Sequence, residues 1–205
     1  MRIEKVFFDL LSKQYLLMNK IIQLLGICLL FGFTQSCKNN FMLNQKQSKK
    51  SIIVRKSKAT DEIAVIQFPF SLIIENKSLS KNEFGSIDYE YGYNDKGANI
   101  ILIDNGEKIS NYQLKVVPPK EKQTYLIYSV HFIDYSETTQ NQLKPYVQKM
   151  LELDQDTLHV GTVAEFKKRH PELFKMLTEN DTISIRHLKG RNSGLGERVA
   201  IPANW

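Results

Sequence analysis

Histidines and one carboxylate are the first candidates for catalysis in this 205-residue chain. His131 and Asp134 stand at the end of a predicted strand, where a general base and the carboxylate that orients it could act on a substrate. No nucleophile elbow accompanies them, and no metal-binding spacing such as HExxH occurs. The sequence therefore predicts no metal site and no cofactor. His170 precedes Pro171 at a predicted helix start, where a capping role explains it.

A basic, glycine-rich segment at 189–198, KGRNSGLGER, could bind an anion. Lys189, Arg191 and Arg198 supply the donors that a carboxylate or a phosphate would need. The segment lacks the GK[ST] ending of a phosphate-binding P-loop. A hairpin loop that joins two C-terminal strands is the favoured interpretation, because connecting loops run over the surface and tolerate such residues.

Three tyrosines alternate with polar residues over 86–93, so that Tyr89, Tyr91 and Tyr93 share one face of a predicted strand. Aromatic rings that carry hydroxyl groups suit carbohydrate or peptide ligands. The same alternation is typical of a sheet with one buried face, and the inner face of a sheet is the favoured interpretation.

The N-terminal region has the layout of an export signal. The segment 18–37, MNKIIQLLGICLLFGFTQSC, has a lysine near its start, an apolar run over 21–33, and small or polar residues before Cys37. The apolar run is shorter than the roughly 20 residues of a membrane-spanning helix, so a retained anchor is the less favoured alternative. Because residues 1–17 mix charged and apolar side chains, we expect translation to start at Met18.

The end of this segment resembles the signal of bacterial lipoproteins, in which a small residue precedes a cysteine that becomes lipid-modified. Ser36 matches the small residue and Cys37 matches the modified cysteine. The resemblance implies palmitate on Cys37 and a place in the outer membrane. The following Lys38-Asn39-Asn40 lacks the acidic residues of some surface-exported lipoproteins, which favours the periplasmic face over the cell surface.

The cysteine count agrees with lipidation. Cys28 lies in the apolar run that would be removed, so the mature chain would keep Cys37 alone and could form no internal disulfide. Acylation would consume a thiol that is otherwise a liability after export, and a reactive free cysteine is the alternative. Two or more acyl chains give stable membrane attachment, whereas one does not.

The charge distribution argues against nucleic acid as a partner. The whole chain has a net charge of +6, but residues 38–60 contain seven basic side chains and no acidic one. Residues 61–205 contain 17 basic and 20 acidic side chains, a net charge of −3. A nucleic-acid-binding domain would need a basic surface, and the globular part of this chain does not supply one.

Three regions follow from these patterns. Residues 1–37 form the signal, and residues 38–60, rich in Lys, Asn, Gln and Ser, are predicted to be a flexible basic tether. Residues 61–205 are long enough for a single globular domain with a core. A short strand over 52–54 is the alternative for part of the tether.

The sequence pattern predicts β-strands in the first half of this domain. A clear hairpin signal occurs at Asn105-Gly106, since both residues tolerate positive φ. Pro69 predicts a break or an edge. The predicted strands cover 63–70, 71–75, 86–93, 98–103, 112–117 (closed by two prolines) and 124–133. Their order favours an antiparallel meander or a sandwich-like sheet.

The second half changes to a helical period. Leu143, Val147, Met150 and Leu151 share a stripe, which predicts a helix with Pro145 in its first turn and Asn141 as its cap. A capping box at 162–165 predicts a second helix, and a proline at 171 restarts it. Strands return at 182–188 and 198–201. The fold class is therefore α+β, with two to three short helices and a C-terminal β-hairpin.

We expect a lipid-anchored protein of the cell envelope that binds or assembles an envelope protein or glycan without catalysis, or neutralises a toxin as immunity lipoproteins do. The alternative is a small envelope hydrolase or modifying enzyme that uses His131 and Asp134. A concave pocket that holds these two side chains would favour the enzyme, and an exposed apolar patch would favour the binding module. Trp205, the only tryptophan, either packs on the sheet or marks a contact surface.

Overall fold

The computed structural model describes residues 41–92, 97–188 and 195–205. The predicted signal with Cys37, and the candidates Tyr93, Lys189 and Arg191, lie outside the described residues. Among the helices of the described residues, none combines the length and the apolar character that crossing a membrane would require.

One 14-residue strand, β3 (Ile63–Asn76), organises the larger sheet. It pairs antiparallel along most of its length with β8 (Lys122–Phe132). On its other side it pairs first with β2 (Ile53–Lys56) and then with β1 (Phe41–Gln47). The predicted break at Pro69 is wrong, because β3 continues through it. Pro69 lies where the neighbour changes from β2 to β1, and such an interruption of a ladder tolerates a missing N–H.

The remaining strands extend this sheet on both sides, in the order β6-β5-β8-β3-β2-β9. They are β5 (Gly97–Asp104), β6 (Glu107–Ile109) and β9 (Thr157–His159). Asn105 and Gly106 join β5 to β6 with φ values of 48° and 89°. Two successive positive φ values are those of the tight turn that matches the strand twist, so the predicted hairpin is confirmed.

The stretch predicted as a flexible tether contains β1 and β2, so the prediction is wrong for its described part. Phe41 and Leu43 of β1 are buried, as is Val54 of β2. Their apolar side chains recur at every second position, which places them on the core face of the sheet. The alternative of a short strand over 52–54 is confirmed with shifted ends, since β2 covers Ile53–Lys56.

Four antiparallel strands form the smaller sheet, in the order β11-β10-β4-β7. They are β4 (Asn82–Glu90), β7 (Lys115–Val117), β10 (Thr182–Leu188) and β11 (Leu195–Pro202). The β10–β11 pair is the predicted C-terminal hairpin. β4 ends before the predicted end at 93, and β7 covers only the last part of the strand predicted over 112–117.

The first helix, α1 (Glu137–Glu152), starts earlier than predicted. Ser136 is its N-cap and accepts a hydrogen bond from the backbone N–H of Thr139. The predicted start, with Asn141 as cap and Pro145 in the first turn, is wrong. Pro145 lies in the helix interior, on the exposed face. There, water can satisfy the backbone carbonyl that the proline leaves without an N–H partner.

Two shorter helices, α2 (Val163–Arg169) and α3 (Pro171–Thr178), follow. The capping box of Thr162 and Glu165 is confirmed, as is the restart at Pro171. His170 occupies the N-cap position of α3, as predicted, but its side chain makes no cap hydrogen bond.

Both the helices and the smaller sheet cover the same face of β3. Ile66 and Phe68 pack with residues of the helices, whereas Phe70 and Leu72 pack with the smaller sheet. The Trp205 ring lies 5.8 Å from the Phe68 ring and 5.5 Å from the Phe70 ring, so it joins the two parts of the core. The architecture is α+β, as predicted: antiparallel sheets, then helices, then the hairpin.

Candidate binding surface

Three apolar side chains, Tyr112, Leu114 and Val116, are exposed in β7 and in the turn that precedes it. Their exposed fractions are 76%, 57% and 43%. Lys115, between the last two, points inward and is only 5% exposed. We call Tyr112, Leu114 and Val116 the apolar row. Large apolar side chains at consecutive alternate positions, all exposed, are unlike the scattered single residues that are normal on protein surfaces.

The ammonium group of Lys115 holds this segment in place. Its Nζ donates to the backbone carbonyls of Gly85, Asn111 and Gln113, at 2.9, 2.7 and 2.9 Å. It also lies 5.7 Å from the centre of the Phe84 ring. Burial lowers the pKa of Lys115 from its ordinary value. Three carbonyl acceptors use all three donors of the ammonium, so the chain around the apolar row is tied to β4.

Asn111 fastens the same segment from its other end. Its Oδ1 accepts a hydrogen bond from the backbone N–H of Ile87 at 2.9 Å, and its Nδ2 donates to the carbonyl of Ile87 at 2.8 Å. This pair of bonds copies the pairing of a neighbouring strand, although residues 110–114 are not in a strand. The apolar row is therefore presented by a braced backbone, which lowers the entropy that a partner's binding would cost.

The apolar row lies at an edge of the smaller sheet. β7 is the last strand in the order of the described strands, with β4 on one side. In its register, Val116 lies opposite Glu83. A sheet edge offers unpaired N–H and C=O groups to an added strand, and the alternate side chains supply specificity. Val116 lies on this edge, and Tyr112 and Leu114 precede it, so the arrangement fits an extended peptide segment with apolar side chains.

A small cavity of about 140 Å³ lies beside Tyr112, with Asp88 and Ile100 among its lining residues. Small-molecule sites usually measure at least about 300 Å³. The cavity can accept one side chain of a partner but is too small for a typical cofactor or substrate.

The catalytic candidates lie elsewhere. His131 is 1% exposed, and its Nε2 lies 2.9 Å from the Oγ of Ser129. Burial lowers the pKa of His131 to about 3, so its ring is neutral at physiological pH. Asp134 accepts hydrogen bonds from the backbone N–H and the Oγ of Ser136, the N-cap of α1. A buried neutral ring and a cap-bound carboxylate do not form a solvent-facing general base.

The tyrosines face the interior. The hydroxyl of Tyr89 donates to the carboxylate of Asp181 at 2.5 Å, and burial raises the pKa of Tyr89. The hydroxyl of Tyr91 accepts the backbone N–H of Val130 at 3.0 Å, and burial raises the pKa of Tyr91 to about 12. These contacts favour the inner-face interpretation over an exposed ligand platform.

Arg198, the one described member of the predicted anion site, lies in strand β11 and not in a loop. Its guanidinium forms an ion pair with Glu90, and its Nε donates to the Oγ of Ser184 at 3.0 Å. These contacts already use the side chain for pairing within the smaller sheet.

A larger open cleft of about 670 Å³ lies near the end of α1, lined by Lys56, Asp156 and His159 among others. Among the described residues, no three His, Cys, Asp or Glu side chains lie together in a way that could hold a metal ion.

Comparisons with protein-family models, curated proteins and solved structures gave no significant match for this chain. The sequence predicted this site only in part: the strand predicted over 112–117 contains the apolar row, but the exposure of these side chains was not predicted. The inward direction of Lys115 was missed, because one acceptor that holds its ammonium group, the carbonyl of Gly85, lies 30 residues away in the sequence.

Proposed function

We propose that this protein is a lipid-anchored protein of the outer membrane, attached through Cys37 on the periplasmic side, that binds an envelope protein without catalysis. The apolar row is the contact, and the partner contributes an extended segment that pairs with the edge of β7. The observation that carries this proposal is the exposure of Tyr112, Leu114 and Val116 on a backbone braced by Lys115.

The charges around the apolar row support a protein partner over a glycan or a nucleic acid. Glu83 neighbours Val116 in register and pairs with Lys81 at 2.9 Å. Asp88 lines the cavity beside Tyr112. An apolar centre with a mixed polar rim is the anatomy of protein interfaces.

Within residues 41–92, 97–188 and 195–205, no observation favours the alternative of a small envelope hydrolase. It requires His131 to be reachable by a substrate, and the ring is enclosed by Phe68 at 5.0 Å and Tyr91 at 5.0 Å between ring centres.

The test is a photo-crosslinking amino acid at Leu114 of the full-length protein in intact cells. We expect a discrete adduct, because Leu114 lies at the centre of the contact. A second change, Val116→Glu, should abolish the adduct by placing a charge against the partner's apolar side chains. The matched control places the crosslinker at Leu153, which is 50% exposed and lies just beyond α1.

Equal adducts from Leu114 and Leu153, or an adduct that Val116→Glu leaves unchanged, would contradict a specific contact at the apolar row. Attachment is measured separately, by incorporation of a palmitate analogue into wild type and Cys37→Ala with membrane fractionation. Label on both proteins, or on neither, would contradict an anchor at Cys37.

A further inference from the structure

Two turns meet at one end of the larger sheet: residues 77–81 after β3 and residues 118–121 before β8. Leu79 stands at the apex of the first turn with 86% of its surface exposed, the largest value among the exposed apolar side chains of the described residues. An apolar side chain this exposed contributes little to the core, so it is available for a contact outside the domain.

Asn76 makes the two turns one rigid unit. It is fully buried, and its Nδ2 donates to the backbone carbonyls of Ser80, Val117 and Pro118 at 2.8, 3.0 and 3.0 Å. Its Oδ1 accepts the backbone N–H of Ser78 at 2.9 Å. These bonds hold the turn of Leu79 against the turn of Pro118, so Leu79 is presented in a fixed position.

Lysines surround Leu79. Residues 77–81 and 118–122, which we call the lysine tip, contain four lysines and one glutamate. The lysines are Lys77, Lys81, Lys120 and Lys122. Lys81 pairs with Glu83 and Lys122 pairs with Glu75 at the bases of the turns, at 2.9 and 3.4 Å. The outer part of the lysine tip, with Lys77 and Lys120, keeps a positive charge.

The register of β1 places its first residue at the end of the sheet that carries the lysine tip. Phe41, the first residue of β1, lies opposite Asn76 in the sheet. Cys37 precedes Phe41 by four residues, which span at most about 14 Å even when fully extended. Acyl chains on Cys37 would therefore hold this end of the domain, and not its other end, against the bilayer.

We propose that the lysine tip lies on the anionic lipid surface of the membrane, with Leu79 inserted at the boundary between headgroups and acyl chains. This inference rests on the proposed lipid anchor at Cys37. Lysines near an anionic leaflet are attracted to it, and an apolar side chain among them enters the interface. The tip thus supplies a second contact that fixes the orientation of the domain on its short connection.

The experiment labels Leu79→Cys with the fluorophore NBD in the full-length, acylated protein. Acylation consumes the thiol of Cys37, so the introduced thiol is the one that reacts. The labelled protein is reconstituted into vesicles of phosphatidylethanolamine with phosphatidylglycerol, and into vesicles of phosphatidylcholine alone. We expect a blue-shifted emission and a severalfold slower reduction by dithionite in the anionic vesicles.

The control probe is Leu151→Cys, at a residue that is 52% exposed. Leu151 lines the cleft with Lys56, which lies opposite Ile63 at the other end of β3, about 40 Å from Asn76 along the strand. Its emission and its reduction rate should be the same in both kinds of vesicle.

Charge reversal separates attraction by the lysines from simple proximity. Lys77→Glu, Lys81→Glu and Lys120→Glu together should remove the difference between the two vesicle compositions. The matched control reverses the same number of exposed charges on the helices: Lys144→Glu, Lys149→Glu and Lys175→Glu. It should leave the difference intact.

The two proposals fail in different ways. Acylated protein in which the probe at residue 79 behaves like the probe at 151 overturns the lysine tip alone. Absence of a palmitate analogue from Cys37 overturns the lipid anchor, and the lysine tip with it.

Discussion

Two buried titratable side chains, the neutral imidazole of His131 and the ammonium group of Lys115, have opposite roles in this molecule. His131 bonds to Ser129, and its ring packs against the rings of Phe68 and Tyr91 in the interior. Lys115 bonds to three carbonyls and turns its neighbours Leu114 and Val116 outward. The first builds the interior, and the second presents a surface.

The contrast between His131 and Lys115 separates the interior of this fold from the surface that is available for binding. The residues whose chemistry stands out in the sequence, His131 with Tyr89 and Tyr91, form an interior network that also contains Asp181 and Ser129. The residues that are exposed and braced are ordinary strand formers. Changes to the interior should therefore cost stability, and changes to the apolar row should cost binding.

The largest effect on stability is expected for Phe68→Ala. Phe68 is fully buried, and its ring contacts those of His131, Phe166, Phe174 and Trp205. Loss of a buried phenylalanine costs about 3–5 kcal/mol of unfolding free energy. Urea unfolding measures it, and Phe132→Ala, at a site 46% exposed, is the control with a cost of about 1 kcal/mol or less.

The second prediction concerns pH. Because burial lowers the pKa of His131 from 6.5 to about 3, the unfolded chain binds this proton before the folded one does. Stability is fully present above pH 6.5 and falls as the pH drops towards 3, by about 2 kcal/mol at pH 5. His170, whose pKa burial also lowers, acts in the same direction.

The share of His131 is isolated by comparing the stability of wild type and His131→Gln from pH 7 to pH 5. The variant should show a flatter pH dependence. Asp181 acts in the opposite sense at lower pH, because burial raises its pKa and favours its protonated form. Parallel pH profiles for the two proteins would contradict a buried neutral imidazole.

Lys115→Met tests whether the ammonium group of Lys115 holds the apolar row in place. The change keeps the apolar stem but leaves the carbonyls of Gly85, Asn111 and Gln113 without their donor. Since these carbonyls are partly accessible to water, we expect a loss of about 1 kcal/mol in stability. The yield of the crosslinked adduct from Leu114 should fall sharply, although the protein stays folded. The control Lys108→Met, at an exposed position in β6, should change neither the adduct yield nor the unfolding free energy.

The smallest effect on stability is expected for Leu114→Asn. Leu114 is 57% exposed, so the unfolding free energy should change by no more than about 0.5 kcal/mol. Adduct formation by a crosslinker at Tyr112 should nevertheless drop sharply. A large loss of stability would show that the apolar row belongs to the core.

Local chemistry made several elements predictable from the sequence. The Asn105-Gly106 turn, the capping box of Thr162 and Glu165 and the restart at Pro171 depend on residues within a few positions of each other. Pro145 shows the limit of such rules, because a proline usually lies in the first turn of a helix. Here the burial of Leu143, Val147 and Met150 offsets the free-energy cost of a proline in the helix interior.

The sequence alone determined the α+β class, because the change from a period of two to a period of 3.6 is local. Only the tertiary structure decided that the lysine-rich stretch 41–60 contributes two strands, since the edge of β3 supplies their hydrogen-bond partners from elsewhere in the chain. It likewise decided which side of the segment 112–117 faces water. The acceptors that draw Lys115 inward include Gly85 of β4, 30 residues away, and no local pattern contains them.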